Sequence, residues 1–471
     1  MRCWRSSSAS SRTPPSLPAI EGLGTSSDRP SKPAAWAERL ARWAYATALR
    51  LATPLYFLKL WRRGGAEPLY RAHWAERLGL GTHTAPGALW LHAVSMGETR
   101  AAAPLIAALR ERQPGLRLLL THSTATGRET GRELLREGDA QRWLPLDTPG
   151  AVRRFLDRHQ PVAGVLMETE IWPCLMAEAE RRRLPMVLAN ARLSARSARQ
   201  GQRLRALLHP AAARLALALA QTTDDAQRLR EAGVGEVRVC GNLKYDLQPD
   251  EAVLARGRAW AAAQPRSPQQ PRRPVLLMAV SREGEEAALL RAWRSRPQAS
   301  GPRPLLLIVP RHPQRFDEVA ALVREAGFSL ARRSSWAGQE LPPPEAWSAE
   351  VWLGDSLREM PLYYGLAELA LLGGSFEPLG GQNLIEAAAC GCPLLMGPHT
   401  FNFSEAAALA EQAGAARRVP GLTEALAQAE VLLADPGALA EQAARARAFA
   451  AQHRGAADRM AQALASLMPP V

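Results

Sequence analysis

The sequence predicts an α/β protein built from two doubly wound parallel sheets. Three observations carry this. From residue 88 onward, strand-length apolar runs alternate with helical stretches. A polar, charged and proline-rich stretch, Asp246 to Pro274, interrupts the alternation, and a new series of strands opens at Val275. Within that second series, residues 371–396, LLGGSFEPLGGQNLIEAAACGCPLLM, read as strand, glycine loop, helix and strand. At 471 residues the chain is long enough for two such domains and an appendage. Its 47% hydrophobic and 22% charged content excludes a disordered chain.

In chain order, residues 1–35 come first. They are rich in Ser and Pro and poor in large apolar side chains, so they are expected to be a disordered extension. No continuous apolar stretch follows the early arginines, as a signal peptide would need. Residues 36–63, WAERLARWAYATALRLATPLYFLKLWRR, are mostly apolar and helical in composition, with Pro54 expected to break the pattern. Arg39, Arg42, Arg50 and Lys59 keep this segment below the roughly 18 uninterrupted apolar residues of a spanning helix. Trp36, Trp43, Tyr45, Tyr56, Phe57 and Trp61 supply interfacial aromatics, so the segment reads as a membrane-lying or weakly inserted anchor. The formal charge of +14 is concentrated here: residues 1–80 hold thirteen basic and five acidic side chains. Basic residues beside an apolar aromatic segment favour an anionic membrane surface over nucleic acid.

Residues 64–248 are read as the first α/β domain. Ala88 to Val94 is a buried strand, Ser95 to Glu98 a tight turn and Thr99 to Arg112 a helix. Leu116 to Leu120, Val162 to Met167 and Met186 to Ala189 are further strands. Ligands sit beyond the carboxyl ends of such strands, where four polar loops fall: Ser95–Glu98, His122–Gly127, Glu168–Pro173 and Asn190–Ser194. Glu98 has two readings, an acidic residue capping a helix start and a general base beyond a strand end. Glu168 and Glu170 place two more carboxylates at an equivalent strand end. Acids held against apolar strand ends have their pKa raised toward that of a working base.

Residues 249–471 are read as the second domain. Its strands include Val275 to Val280, Leu305 to Val309 and Leu369 to Leu372, the last running into Gly373-Gly374. A second pair, Gly380-Gly381, precedes Gln382-Asn383 and the helix that stops at Gly391. Glycines let the backbone approach a ligand, and a helix start suits a phosphate. Glu386, on the first turn, can accept bonds from ribose hydroxyls. The Ala-, Leu- and Arg-rich tail after residue 420 is expected to return to the first half. The five cysteines are scattered, which points to a reducing compartment, and no metal motif or resident cofactor is expected.

Several segments together resemble bacterial 3-deoxy-D-manno-octulosonic acid (Kdo) transferases: HAVSMGET (92–99), METEIWP (167–173), NARLSARS (190–197), GNLKYD (241–246), PRHPQRF (310–316), GDSLRE (354–359), GGSFEPLGGQNLIEAAA (373–389) and MGPHTFNFSE (396–405). The resemblance implies a GT-B type glycosyltransferase, two Rossmann-like domains facing a cleft. The first would hold the lipid A precursor acceptor and the second the CMP-Kdo donor. It implies an inverting transfer at the cytoplasmic face of the inner membrane, with no metal and no nucleic-acid partner. Glu98 would be the base, Glu168 would stabilise or orient the transition state, and Lys244 and Arg311 would be the cations. Pro310, Arg311, Gly354, Asp355, Ser356, Leu357, Gly373, Gly374, Asn383 and Glu386 would form the donor side. Ser95, Gly97, Glu170, Asn190 and Arg192 would form the acceptor side. Two departures stand out: Ser281-Arg282-Glu283 replaces a Ser-Thr-His run, and Gln382 and Leu384 flank Asn383 where His and Pro are usual. Two other classes compete. A nucleotide-sugar epimerase shares the twin fold but needs no basic aromatic segment. A nonenzymatic lipid- or nucleotide-binding module has no use for three strand-end carboxylates and Lys244.

Overall fold

A computed structural model describes residues 32–265, 272–296 and 303–468. The expected disorder of residues 1–35 therefore lies almost wholly outside the described residues, and Lys32 already opens the first helix.

The first half is one parallel sheet of seven strands: β1 (Leu89–His92), β2 (Leu118–His122), β3 (Ala140–Trp143), β4 (Ala163–Met167), β5 (Met186–Ala191), β6 (Leu217–Ala220) and β7 (Val237–Val239), in the order β3-β2-β1-β4-β5-β6-β7. The second half repeats the design with β8 (Val275–Ser281), β9 (Leu305–Pro310), β10 (Leu330–Arg332), β11 (Val351–Leu353), β12 (Leu369–Leu372), β13 (Leu394–Met396) and β14 (Ala416–Arg418), ordered β10-β11-β9-β8-β12-β13-β14. Both sheets are covered on two faces. Leu89 and Leu91 enter one core while Trp90 enters another, and Leu277 and Met278 divide in the same way. A strand buried on both faces has no polar face, which is why it reads as a continuous apolar run. The strand order reverses at β1/β4 in the first sheet and at β8/β12 in the second. These switch points are where an open α/β sheet leaves a crevice for a ligand.

Three elements depart from the sequence reading or refine it. Pro54 does not break the first helix, which runs unbroken over Lys32–Arg63. Proline forfeits one hydrogen bond, to the carbonyl four residues back, and a helix of 32 residues retains the rest. This helix docks through an Arg214–Glu38 ion pair at 2.7 Å and a bond from Arg77 to the Tyr56 hydroxyl at 3.0 Å. It leaves Trp36, Leu40, Trp43, Leu51, Leu55, Leu58 and Trp61 exposed, at the three- and four-residue spacing of one face. Among the described residues, no helix is long and apolar enough to cross a membrane.

The stretch expected to separate the halves contains a helix, Glu251–Ala263, that belongs to the second half. It packs on the Met360–Leu366 helix and buries Leu254 and Trp260 in the core. A Cβ at Gly257 would stand 2.0 Å from the Leu362 carbonyl oxygen, so only glycine permits the contact. Finally, the Pro436–Gln452 helix packs on the Leu384–Cys390 helix of the second half, and the Ala456–Ala465 helix packs on Met96–Arg112 of the first. Met460, Ala461 and Leu464 are fully buried there. The Asp246 carboxylate accepts from the amides of Gly455 at 2.5 Å and Ala457 at 2.6 Å, joining the two places where the chain changes halves.

Candidate active site

At the end of β1 the chain turns through Val94 and Ser95 into the Met96–Arg112 helix. Ser95 is the N-cap and accepts from the Glu98 amide at 3.3 Å. The Glu98 carboxylate reaches back, accepting from the Val94 amide at 2.8 Å and the Ser95 hydroxyl at 3.0 Å. The capping reading of Glu98 is therefore correct in geometry, and the base reading does not conflict with it. Burial pushes the Glu98 pKa up to about 7, against the bond from Val94, and the Glu168 and Glu170 carboxylates push the same way. A carboxylate with a pKa near 7 is tuned for proton removal at neutral pH. Gly97 is exposed beside it at the helix start.

Glu168 follows β4 across the switch point. Its φ of 60° is left-handed, a sparsely populated state for a residue with a side chain. Its amide donates to the Ala189 carbonyl at 2.9 Å, and its own carbonyl accepts from the Arg192 amide at 3.1 Å. These bonds hold the carboxylate against Lys244, whose Nζ lies 3.6 Å away. Lys244 is fixed in turn by polar side chains behind it. Asn190 Oδ1 accepts from the Leu243 amide at 3.0 Å, and Asn242 Oδ1 accepts from the Lys244 amide at 3.0 Å. Gln221 receives a bond from Asn242 and donates one to the Asn190 carbonyl.

Asn190 was expected to face the acceptor. It is fully buried instead, and positions the Lys244 turn from below. Glu170 is half-buried, and burial raises its pKa, with Glu168 adding to the effect. Arg192 lies close enough for its charge to act on Glu405 of the second half. Burial lowers the pKa of His122 to about 4 and that of His92 to about 3, so both are uncharged at neutral pH.

The second half presents its own switch point to the same cleft. Pro310 ends β9, and the Arg311 amide donates to the Ser281 carbonyl at 2.9 Å. Burial lowers the Arg311 pKa, and Arg100 and Arg282 lower it further, while Glu386 acts the other way. Glu386, half-buried on the Leu384–Cys390 helix, has no hydrogen-bond or ion-pair partner among the described residues. Burial raises its pKa, and Arg100 and Arg311 oppose that rise. Arg100 stands on the first half's Met96–Arg112 helix, so a cation from the first half acts on the cluster of the second. The sequence reading missed Arg100. It is an exposed arginine one residue past the HAVSMGET segment, and the groups it acts on belong to the other half.

The glycine loop is tight for identifiable reasons. A Cβ at Gly373 would meet the Val280 carbonyl oxygen at 2.2 Å, and Gly374 has φ of 70°. The fully buried Glu285, two residues past the departure at Arg282-Glu283, accepts from the amides of Arg282, Gly374 and Phe376 and so braces the glycine loop. Asn383 caps its helix, accepting from the Ile385 amide at 3.2 Å. In the loop after β11, Gly354 is required because a Cβ would meet Val309 at 2.7 Å. Asp355, expected to line the cytidine pocket, has its carboxylate occupied by Arg332 Nε at 2.7 Å and by the Ser334 amide and hydroxyl. These bonds hold that loop. Ser356 is bonded to the Tyr363 hydroxyl, and Leu357 is exposed. Across the cleft, Lys244 Nζ lies 5.2 Å from the Phe403 ring centroid, and Arg358 pairs with Glu133 at 2.5 Å.

The chain resembles known proteins in sequence and in fold. The family model for 3-deoxy-D-manno-octulosonic-acid transferases matches residues 72–247. The 3-deoxy-D-manno-octulosonic acid transferase of Bordetella pertussis is 48% identical over 440 residues, covering 90% of this chain and 99% of that one. The corresponding transferase of Haemophilus influenzae is 35% identical over 369 residues, covering 77% and 84%. Among solved structures, the UDP-GlcNAc 2-epimerase of Neisseria meningitidis bound to UDP-GlcNAc aligns with a TM-score of 0.52 at 14% identity, covering 81% of this chain and 99% of that one. A glycosyltransferase of Rickettsia africae aligns with a TM-score of 0.51 at 12% identity, covering 81% and 98%. Those two likenesses concern the fold alone.

Proposed function

Because the chain belongs to the 3-deoxy-D-manno-octulosonic-acid transferase family and has the GT-B-like fold of a glycosyltransferase, we propose that it moves Kdo from CMP-Kdo to a glucosamine hydroxyl of a lipid A precursor. The observation that carries the reading is Glu98. Burial holds its pKa at about 7 in the first half, and Glu386, unpaired among the described residues, stands with the cations Arg100 and Arg311 where the second half meets it.

In this reading Glu98 takes the proton of the acceptor hydroxyl as its oxygen attacks the anomeric ketose carbon of the donor. The new C–O bond forms as the bond from that carbon to the CMP phosphate oxygen breaks, and CMP leaves with the electron pair. Attack opposite the leaving group inverts the configuration. Arg311 and Arg100 offset the charge gathering on the phosphate, as preorganised cations do in a site shielded from water. Lys244, fixed between Glu168 and Phe403, sits where a substrate carboxylate would find a cation. Glu386 and Asn383 are suited to ribose hydroxyls.

The exposed apolar face of the Lys32–Arg63 helix, bordered by Arg39, Arg50, Lys59 and Arg62, supports an attachment to the cytoplasmic face of the inner membrane, where a lipid acceptor would be met. The test is incubation with CMP-Kdo, generated in situ, and a lipid A precursor in detergent. The expected result is a Kdo-bearing lipid and free CMP. Consumption of the donor without a glycosylated lipid would remove this acceptor assignment.

A further inference from the structure

The first half holds a second concavity beside the reacting carboxylates. A cavity of about 670 Å³ opens between the Lys32–Arg63 helix, the loop after β4 and the Arg205–Ala213 helix. One wall is Ala41, Ala44 and Ala48, three small residues that leave a groove where the first helix meets the body. The facing wall is Leu204, Leu207 and Leu208, and Leu204 is 57% exposed. Trp172 and Ile171 also line it. At one end stand Thr169 and Glu170, and the charge of Glu170 is among those that act on Glu98, so the cavity ends within electrostatic reach of the candidate base. Arg203 adds a cation. Ala44 and Ala48 lie three, four or seven residues from Leu40, Leu51 and Leu55 on the same helix, so the groove runs round into the exposed apolar face.

We propose that this cavity is an acyl-chain site, in which one fatty acyl chain of the lipid acceptor lies between the two helices and so delivers the acceptor hydroxyl to Glu98. The proposal rests on the lipid-acceptor reading above. Three observations select this occupant. The walls are apolar, and Leu204 is wet without one. The groove is continuous with the helix face read as membrane-facing at one side and with the carboxylate site at the other. Its size falls within the roughly 300–1,000 Å³ of ligand pockets. A soluble sugar would leave the leucine wall uncovered, whereas an alkyl chain covers it at about fourfold in affinity per buried methylene.

The experiment fills the groove from both sides, with Ala44→Phe and Ala48→Phe on one wall and Leu208→Trp on the other. The probe is the fluorescent fatty acid cis-parinaric acid. Transfer is assayed in detergent without phospholipid, on an acylated acceptor and on its deacylated glucosamine disaccharide. The expected result is that each variant binds the probe at least tenfold more weakly and loses at least tenfold in kcat/KM on the acylated acceptor. On the deacylated disaccharide, each should stay within twofold of the parent, which also shows that it folds. Unchanged probe binding and unchanged preference for the acylated acceptor would overturn the site. Loss of the probe with preference unchanged would also overturn it, because the groove would then hold a membrane lipid rather than the acceptor. Failure of the parent protein on both acceptors would bring down the acceptor reading itself, and the proposal with it.

Discussion

At the scale of single residues, Glu98 sets two opposite expectations. As a base it must be ionised, and burial holds its proton up to about pH 7. Transfer should therefore fall as pH drops through about 7. Glu98→Gln should lower turnover by roughly 10²–10⁴-fold and abolish that acidic limb. Stability should move the other way. The unfolded chain releases this proton near its model value of 4.5, whereas the folded chain keeps it until about 7, so folding loses stability as pH rises between those values. Glu98→Gln should melt higher than the parent at pH 8, with the gap closing toward pH 5, as scanning calorimetry would show. Equal melting at both pH values, or turnover near normal, would remove the perturbed carboxylate from the account. Arg311→Ala should weaken donor binding on the order of 10- to 100-fold, as expected for a hydrogen bond to a charged group. Titration calorimetry with CMP-Kdo or CMP would read this, and an effect confined to the acceptor would reverse the assignment of halves. Glu98 and Glu168 were legible because an acid just beyond an apolar run marks a strand end. Asn190 was legible as a strand-end residue but not in its role, since its partner is the amide of Leu243, 53 positions away. The commitment of Asp355 to Arg332 and Ser334 was hidden for the same reason.

At the scale of elements, the central strands were readable and the edges were not. β4, β9 and β12 are buried throughout and read as unbroken apolar runs. β3 (Ala140–Trp143), β10 (Leu330–Arg332) and β14 (Ala416–Arg418) lie at sheet edges, are short and partly exposed, and each contains arginine. Charge at an edge blunts unwanted pairing, and it also erases the apolar pattern by which a strand is recognised. The Glu251–Ala263 helix was concealed by its polar, proline-bearing surroundings. Its Gly257 offers a sharp test: alanine is the better helix former by about 1 kcal/mol in isolation, yet the contact with Leu362 leaves no room for a methyl group. Gly257→Ala should therefore destabilise the protein, by roughly 1–3 kcal/mol in urea denaturation. A more stable variant would show that the two helices separate freely. For the first helix, removing residues 36–63 should release the protein from anionic vesicles. High salt alone should release the intact chain partly, since each interfacial Lys or Arg adds about 1 kcal/mol at an anionic surface. Undiminished pelleting of the truncated chain would place the attachment elsewhere.

At the scale of the whole molecule, the two halves are interleaved in sequence: the chain builds the first, builds the second and then returns. Deleting residues 454–471 should take stability from the first half, where Met460 and Leu464 are buried. Their burial alone is worth on the order of 5 kcal/mol. Hydrogen exchange should show the loss around β1 and the Met96–Arg112 helix, and protection unchanged there would mean that the last helix is only an accessory. The Arg358–Glu133 pair, exposed on both sides, contributes little to holding the cleft shut. Asp246 ties the halves where the chain passes between them. By gripping Gly455 and Ala457 it binds the outgoing and returning crossings to each other. Bodies tied at one point can swivel in any direction, but bodies tied at two adjacent points keep mainly one rotation, like a door on its pins. Any rotation of Arg100 and Glu98 relative to the second half would therefore follow a single arc, and groups held on the two leaves would meet in one register.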